Sequence, residues 1–536
     1  MPNQPWLRDL DADASVVDKF LSFTTRVKAT IYRHTKDPIQ LTANVEGTAL
    51  KSEGCVVAAT MGKSLGSASA QWSLTVKSAL NLEDEVTNGD WVIFWWERNG
   101  VRIHGTLGSI DSIRRTTTVV EGATVKTWSL AGRDFGKLFE TTAIWFNEWA
   151  SIQSNVGGRI FGKRMNYVPG GTPDAVCANL IDAFLGSSSI LGGTWKLPKG
   201  LSYLGTKFTD ALSIQISSSL SVTPQRKLLS DLILTGTAFI SGGVGKKFSP
   251  PLRGAMFNEL NLFQPADDTK LFDMLTEWSN PLLNELYFDV DVENSEPDLP
   301  TPSMILRERP FVTILSSAKA SGLESPFFQL PTCRLRRRHF VADDLGSTDL
   351  ERVNLFMLYA DGMGLSQYDH YALYPPSIAN EDIRRYGLRK MEKMTRFVGQ
   401  TGSEIEWAEE MNAWHSLLVH WYGLNHVWLS GSMSTPFVYP EARPGYRLHV
   451  QGDAEEDILQ GYIENVSHSW SFPKQGTTSL GITRGFRGDD DKLVQAVATR
   501  ASMYRRTLTK GVLAGLDIGE AVRPLDGAGT IPTGLA

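Results

Sequence analysis

The sequence predicts a mixed, β-rich α+β chain in which a sheet with a packing helix occurs twice. Short β-prone segments separated by Asn and Gly turns fill residues 26–130, and three more lie in residues 444–485. Helical periodicity follows the first group and precedes the second. At 536 residues the chain is long enough for two to four domains.

Composition excludes several classes of protein. The formal net charge is -6, so no basic excess indicates nucleic acid as the main partner. Three separated cysteines, Cys55, Cys177 and Cys333, form no CxxC pair, which predicts reduced thiols in a protein assembled in a cytoplasm. No signal peptide precedes the first region and no run of eighteen apolar residues occurs, so we expect neither secretion nor a membrane anchor.

The first β region contains an aromatic strand that is apolar on both sides. In "DWVIFWW", Trp91, Ile93 and Trp95 alternate with Val92, Phe94 and Trp96, so both faces must be covered by a core or a neighbouring subunit. Asn99-Gly100 predicts a hairpin to the next strand. From Asp134 the apolar spacing becomes helical, which predicts a helix with a stripe of Phe135, Leu138, Phe139, Thr142, Phe146 and Trp149.

The middle of the chain, residues 160–265, contains one well-marked helix. Thr172 and Pro173 begin it and Gly186 ends it. Cys177 falls on its apolar face, which favours a core role over a reactive one. The Gly- and Ser-rich remainder is predicted to form loops of an insertion or contact surfaces that become ordered on assembly.

Structure resumes at residue 266. "DDTKLFDMLTEWSN" predicts an amphipathic helix, and the strands "NELYFDV" and "SMILRERPF" flank an acidic, Pro-rich turn. Ser403 and Glu406 have capping-box spacing at the start of a long helix. "PGYRLHVQG", "GYIENVSHSW" and "TTSLGITRG" then predict three strands. In "GYIENVSHSW", alternation places Val466, His468 and Trp470 on one side, and neither side is purely apolar.

No catalytic or metal site is predicted. His415, His420 and His426 lack the i, i+4 spacing of helical metal ligands, so a structural role is favoured. Carboxylates are too abundant to define a pair, and no GxSxG, Walker loop or HExxH occurs. One basic run, "RLRRRHF", contains Arg334, Arg336, Arg337, Arg338 and His339. It favours contact with an acidic protein surface over nucleic acid, with simple solvation as a further reading.

The order of these segments resembles the baseplate hub proteins of contractile-tailed bacteriophages (the tail hub or late control D-like family). "NGDWVIFWW", "VRIHGTLGSI" and "TVKTWSLAGRDFGKLFE" are similar to that family's first domain, and "NELYFDV", "MILRERPF", "RRYGLRKME" and the closing "YIENVSHSW" and "TTSLGITRG" continue the likeness. The positions that carry it are Gly89, Asp90, Gly105, Gly132, Asp134, Glu285, Leu286, Phe288, Asp289, Leu306, Arg307, Pro310, Phe311, Gly387, His468, Arg484 and Gly485.

The resemblance implies a structural, non-enzymatic homotrimer with two tube-like β-barrel domains per chain. The trimer would form a pseudo-hexameric ring between a hexameric tail tube and a trimeric spike, with DNA as passing cargo. Other implied partners are a tube-initiator protein, the tape-measure protein and wedge or adaptor proteins. The implied location is the virion tail baseplate, after assembly in the host cytoplasm, without a cofactor or metal.

The predicted divisions are an N-terminal arm (1–25), a first tube-like domain (26–160), an insertion (161–265), a second tube-like domain (266–488) with a helical insertion at about 375–425, and a C-terminal extension (489–536). Two alternatives remain open. The chain is a baseplate-associated peptidoglycan-degrading enzyme, or it is a receptor- or glycan-binding tail protein. His468, which has no partner ligand and a matching place in the hub pattern, is expected to have a structural or interface role.

Overall fold

The computed structural model of the protein describes residues 25–43, 54–78, 80–98, 101–120, 123–143, 269–296, 299–312, 325–360, 376–395, 415–452, 458–472, 476–510 and 519–524, with short pieces between residues 159 and 228. Strands dominate these residues, and the helices among them are short. The α-helices are α1 (Leu82–Glu85), α2 (Lys137–Thr141), α3 (Leu271–Trp278), α4 (Asn380–Tyr386) and α5 (Asp490–Ala501). Residues 415–422 and the described residues 177, 178, 180, 181 and 185 are also helical. The predicted β-rich α+β class is confirmed.

The first β unit is a closed cycle of strand pairings. Its strands are β1 (Arg26–Tyr32), β2 (Ile39–Ala43), β3 (Gly54–Ser64), β4 (Gln71–Ser78), β5 (Trp91–Arg98), β6 (Val101–Val120) and β7 (Ala123–Asp134). They pair in the order β3-β2-β1-β5-β6-β7-β4, and β4 pairs again with β3. Residues that point to the inside of this cycle form one core, with Leu74, Phe94, Trp96 and Leu130 among them.

Strand β5 is buried on both sides, as its sequence predicts. Val92, Phe94 and Trp96 lie in the core of the first β unit. The alternate residues Trp91 and Ile93 lie in a second core, together with residues of α2 and α3. The hairpin prediction is also confirmed, because β5 and β6 pair antiparallel from Trp91 opposite Ser109 to Arg98 opposite Val101.

The helix after the first β unit is shorter than its sequence pattern predicts. Asp134 is the last residue of β7, and α2 ends at Thr141. The backbone carbonyl of Thr142 accepts a hydrogen bond from Leu271 N at 2.9 Å, and Ala143 forms a β-bridge with Lys270. Pairing with the start of α3 therefore competes successfully with helical propagation. The rest of the predicted stripe lies outside the described residues.

The second β unit contains more strands than the sequence predicts. It consists of β14 (Thr332–Arg336), β15 (Ala342–Gly346), β19 (Leu429–Thr435), β20 (Arg447–Gln451), β21 (Leu459–Ser471) and β22 (Thr477–Arg487). The pairing order is β14-β20-β21-β22-β19-β15, with only β14 and β20 parallel. The three predicted final strands are β20, β21 and β22. Their core includes Cys333, Leu448, Ile463 and Leu480.

One strand pair joins the two β units into a continuous sheet. Strand β21 pairs antiparallel with β3, from Asn465 opposite Ser64 to Ser471 opposite Ala58. This contact creates an eight-stranded run in the order β15-β19-β22-β21-β3-β4-β7-β6. Every neighbouring pair in it is antiparallel. Four strands of the run come from each unit.

A separate four-stranded sheet packs behind this run. Its strands are β10 (Ser213–Ser218), β11 (Ser221–Leu228), β12 (Asn284–Glu296) and β13 (Leu299–Glu308), in the order β11-β10-β13-β12. Strands from both sides of residue 265 therefore share one sheet, and that predicted boundary does not separate two sheets. The acidic turn expected between β12 and β13 is much shorter than predicted, because these strands stay paired up to Glu296 opposite Leu299.

The predicted helical insertion and C-terminal extension share a five-stranded sheet. Its strands are β16 (Leu355–Ala360), β17 (Ser377–Ile378), β18 (Lys390–Thr395), β23 (Arg505–Lys510) and β24 (Gly519–Pro524). Strand β17 pairs with β16 on one side and with β23 on the other. The insertion thus contains strands as well as α4. The two remaining short strands, β8 (Arg159–Ile160) and β9 (Lys163–Arg164), pair only with each other among the described residues.

Gly132 provides a direct test of packing in the first β unit. A Cβ at this position of β7 would lie 2.0 Å from Ser109 O, a backbone atom that cannot move freely. We expect Gly132→Ala to lower the free energy of unfolding by about 3 kcal/mol. Gly62 in β3 is a matched control, since its Cβ would meet nothing within 4 Å, and Gly62→Ala should change stability by less than about 0.5 kcal/mol. Urea denaturation that shows equal losses for both variants would contradict the packing described for β7.

Candidate functional site

The outer side of the eight-stranded run is the most distinctive surface of the described residues. Strand β21 shows the pattern: Val466 and Trp470 are buried, whereas Asn465, Ser467 and Ser469 point outward and are exposed. The same alternation continues across the neighbouring strands, because residues directly opposite each other in an antiparallel pair share a face. For example, Ser467 lies opposite Ser479 on one side and Gly62 on the other.

We define the hydroxyl face as the outward residues of strands β19, β22, β21, β3 and β4 and of the adjoining part of β7. These residues are uncharged, and most are Ser, Thr or Gly. They are Thr60, Gly62, Ser64, Gln71, Ser73, Thr75, Ser129, Ala131, Ser430, Ser432, Ser434, Asn465, Ser467, Ser469, Thr477, Ser479 and Gly481. All are exposed or half-buried except Gly481, where a Cβ would collide with the side chain of Asn465.

Charged side chains on this side of the sheet lie at its margins. Arg114 and Asp344 stand on the two edge strands, and Lys77 lies near the end of β4. Arg133 is held by Asp111 at 2.9 Å and by Glu140 at 3.1 Å. The middle of the face thus presents hydroxyl groups and small side chains to water. It offers neither the clustered cations that attract phosphate nor an apolar patch that would adhere to protein.

His468 lies behind the hydroxyl face, in the interior. Its Nδ1 is 2.9 Å from Thr478 Oγ1, and its ring meets Trp96 edge-on at 5.8 Å between centroids. Burial, together with the nearby charge of Arg443, lowers the pKa of His468 to about 3. The imidazole is therefore neutral near pH 7. The side of this strand that carries Val466, His468 and Trp470 belongs to the core, and because it includes the imidazole it is not purely apolar.

The buried imidazole makes stability depend on pH. Between pH 6.5 and pH 3 the unfolded chain binds a proton at His468 that the folded chain does not, so the free energy of unfolding falls as the pH falls. From pH 7 to pH 5 we expect the wild type to lose about 2 kcal/mol more than His468→Gln, which keeps a hydrogen-bonding side chain beside Thr478. Urea titrations at both pH values measure this difference, and equal losses would contradict a neutral, buried His468.

A buried ionic cluster connects the four-stranded sheet to the second β unit. Arg307 of β13 contacts Glu285 of β12 at 2.6 Å and donates to the carbonyl oxygen of Gly445 at 2.7 Å. Tyr462 of β21 donates its hydroxyl to Glu285 at 2.7 Å. Burial raises the pKa of Tyr462, so the phenol keeps the proton that it donates.

A second buried ion pair, between Arg443 and Asp289, contacts both β units. Arg443, in the loop before β20, contacts Asp289 of β12 at 2.6 Å and donates to His104 O of β6 at 2.8 Å. Asp289 also accepts a hydrogen bond from Val290 N at 2.8 Å. Three parts of the chain therefore meet at one guanidinium group. Glu285, Asp289 and Arg307, which carry the family resemblance, all lie at this junction.

The resemblance positions of the first unit have local structural contacts. Gly89 has a φ of 95°, and Asp90 accepts from Thr87 N at 2.8 Å, which closes the turn before β5. Asp134 is buried with Lys63 at 2.6 Å. Burial raises the pKa of Asp134, and the charge of Lys63 opposes that rise. Gly105 allows the ring of Phe94 to approach.

Two of the remaining resemblance positions, Phe311 and Arg484, pack against Trp421. The ring of Phe311 meets it edge-on at 5.5 Å, and the guanidinium group of Arg484 lies 3.6 Å from its ring centroid. Gly387, with a φ of 77°, ends α4. The other positions, Leu286, Phe288, Leu306, Pro310 and Gly485, are buried.

The basic run is not one continuous patch. His339 is buried and accepts a hydrogen bond from Arg336 N at 3.1 Å. Arg337 is exposed and forms an ion pair with Asp343 of the same chain at 2.6 Å. Arg334 and Arg338 are exposed, and Arg336 is half-buried. A role for these arginines in binding another protein stays a prediction.

His415 and His420 lie in the interior, whereas His426 is half-buried. His415 Nδ1 is 3.2 Å from Ser377 Oγ, and burial lowers the pKa of His420 to about 4. Cys177 is fully buried beside Leu180 and Ile181, so its predicted core position is confirmed. In the part of the chain that the structure describes, no helix has the length and apolarity to span a membrane.

The sequence matches no protein-family model and no curated protein. Solved structures to which this chain is similar include a tail protein from Neisseria meningitidis, 9% identical over 86% of this chain and 96% of its own, with a TM-score of 0.43. The 43 kDa tail protein of prophage MuSo2 from Shewanella oneidensis is 10% identical, and the match covers 86% of this chain and 98% of that protein, with a TM-score of 0.42. A third structure is an Escherichia coli component of the type VI secretion system, described as structurally similar to the T4 bacteriophage tail proteins gp27 and gp5. It is 11% identical, and the match covers 83% of this chain and 79% of that protein, with a TM-score of 0.34.

Proposed function

We propose that this chain is a structural baseplate hub subunit of a phage tail or a related contractile injection system. In this proposal three copies form a ring, and the hydroxyl face lines its channel. The observation that carries the proposal is the eight-stranded antiparallel run with an uncharged, small-residue outer side. The sequence resemblance to hub proteins supports the same assignment.

The surface chemistry suits a channel that passes DNA without holding it. Cations on the wall would bind phosphates in a salt-dependent way, and an apolar wall would adhere to a protein passing through. Serine and threonine hydroxyls form hydrogen bonds with water both before and after the DNA passes. A wall made of them therefore neither binds the DNA nor repels it. The central hydroxyl face has this composition over strands from both units.

The arrangement of the strands suits a change of symmetry. Each unit gives four strands to the run, β15-β19-β22-β21 from the second and β3-β4-β7-β6 from the first. Three copies would therefore present six four-stranded segments to the channel. Such a ring meets a hexameric tail tube on one side and a trimeric spike on the other, with DNA as passing cargo. Its role is mechanical, and no catalytic step is proposed.

Self-association tests the proposal. Sedimentation velocity over a wide range of protein concentration should show a species of three times the 59.3 kDa chain mass. A chain that stays monomeric at every concentration, and that is absent as a trimer from assembled particles, would contradict the ring. Clearing of peptidoglycan by the pure protein would contradict a purely structural role.

A further inference from the structure

The eight-stranded run has two open edges among the described residues. Strand β6 pairs with β5 up to Ser109, and beyond Ile110 its only described strand partner is β7. At the opposite end of the run, β15 pairs with β19 alone. Backbone groups on an open edge form a ready template for another strand, so an exposed edge is either protected or used.

The two edges carry opposite charge. Arg114 and Arg115 are exposed on β6, and Asp343 and Asp344 are exposed on β15. Each edge also exposes one large apolar side chain: Val119 is 71% exposed, and Val341, which directly precedes β15, is 69% exposed. An exposed valine on an isolated edge strand contributes no burial of apolar surface. A second strand beside it would remove that surface from water.

Strand direction permits the two edges to pair between copies. Because all eight strands alternate in direction, β6 and β15 run in opposite directions. If β6 of one copy lies beside β15 of the next, the pair is antiparallel, and the alternation continues without a break. An odd number of strands would have required a parallel junction.

The charges also select against other pairings. Two β6 edges would bring the Arg114 side chains together, and two β15 edges would bring the Asp344 side chains together, so a twofold contact is repelled. Only the head-to-tail contact places opposite charges together. A repeated head-to-tail contact gives a ring when its rotation closes.

We propose that copies of this chain join head to tail by antiparallel pairing of residues 111–120 of one copy with β15 of the next. Arg114 and Arg115 then face Asp343 and Asp344 of the neighbouring copy, and the valines are covered. This contact rests on the proposed ring and identifies its subunit interface. It joins the eight-stranded runs of neighbouring copies into one continuous antiparallel sheet.

Charge reversal tests the interface. Arg115 and Asp343 have ion-pair partners within their own chain, Glu83 and Arg337, so the test uses Arg114 and Asp344, which form no ion pair within the described residues. Arg114→Glu and Asp344→Lys should each weaken self-association at least about tenfold, because each places like charges across the junction. The double variant should recover most of the wild-type affinity, because every junction again joins opposite charges.

Lys77→Glu is the matched control, since Lys77 is exposed on the same side of the sheet but lies on an interior strand. It should leave self-association unchanged, and circular dichroism should show all four variants folded. Rings that form equally well in both single variants would overturn this interface but leave the ring intact. If both single variants associate weakly and the double variant associates no more tightly than they do, the two edges do not pair with each other. A wild-type chain that never associates contradicts both the interface and the ring.

Discussion

Lysines on the hydroxyl face should convert a passive surface into one that binds DNA. The variant Gln71→Lys, Ser432→Lys and Ser467→Lys changes three exposed positions on three different strands. We expect the wild-type assembly to show little affinity for duplex DNA at physiological salt. The triple variant should bind at least about a hundredfold more tightly at low salt, with an affinity that falls steeply as salt rises.

The matched control for this variant is glutamine at Ser432 and Ser467, which adds length without charge. Fluorescence anisotropy with a short labelled duplex measures the affinity of both assemblies. Because the positions are exposed, stability should change by less than about 0.5 kcal/mol per site. If the lysine variant binds DNA no better than the glutamine control, the hydroxyl face is not open to DNA in the assembly.

Loss of Arg443 should be among the most destabilising single changes at the junction. Arg443→Met leaves the Asp289 carboxylate buried without its ion-pair partner, and it removes the hydrogen bond to His104 O. Removing one member of a buried ion pair costs about 3 to 5 kcal/mol. Chemical denaturation of the purified protein measures this loss.

A double variant separates burial of charge from packing at the same place. Asp289→Leu with Arg443→Met replaces the pair by apolar side chains, so no buried charge remains without a partner. It should recover at least about half of the loss. If Arg443→Met is as stable as the wild type, then Arg443 does not hold the two β units and the four-stranded sheet together.

The sequence pattern correctly predicts the structural elements that are determined by residues close together in the sequence. The double alternation of "DWVIFWW" predicts a strand covered on both faces, and Trp96 and Trp91 do lie in two different cores. Asn99-Gly100 predicts a hairpin between β5 and β6, and the pairing confirms it. These predictions succeed because neighbouring side chains and turn residues determine them.

Pairings between distant segments were not predictable in this way. Strand β10 joins β13 across about ninety residues of sequence, and β23 joins β17 across more than a hundred, without any local signal. The early end of α2 has the same origin, since Thr142 and Ala143 bond to the start of α3. Tertiary hydrogen bonds outweigh helical periodicity there.

A pattern in the sequence indicates the hydroxyl face, although the prediction of strands does not depend on it. In "NVSHSWS", "TTSLG" and "LSGSMST", Ser or Thr recurs at alternate positions, opposite buried side chains such as Val466 and Met433. The pattern predicts a strand with one small, polar side. It does not show that these sides adjoin, because that depends on the register of β21 with β3. The family-resemblance residues Glu285, Asp289 and Arg307 likewise meet at a junction that their spacing does not reveal.

A three-dimensional reconstruction of the assembled chain by electron cryomicroscopy would show directly how the copies are arranged. We expect a closed threefold ring in which Thr60, Ser467 and Ser479 point toward the axis and strands β6 and β15 of adjacent copies lie side by side. A ring whose hydroxyl face points outward, or is buried against another protein, would contradict it.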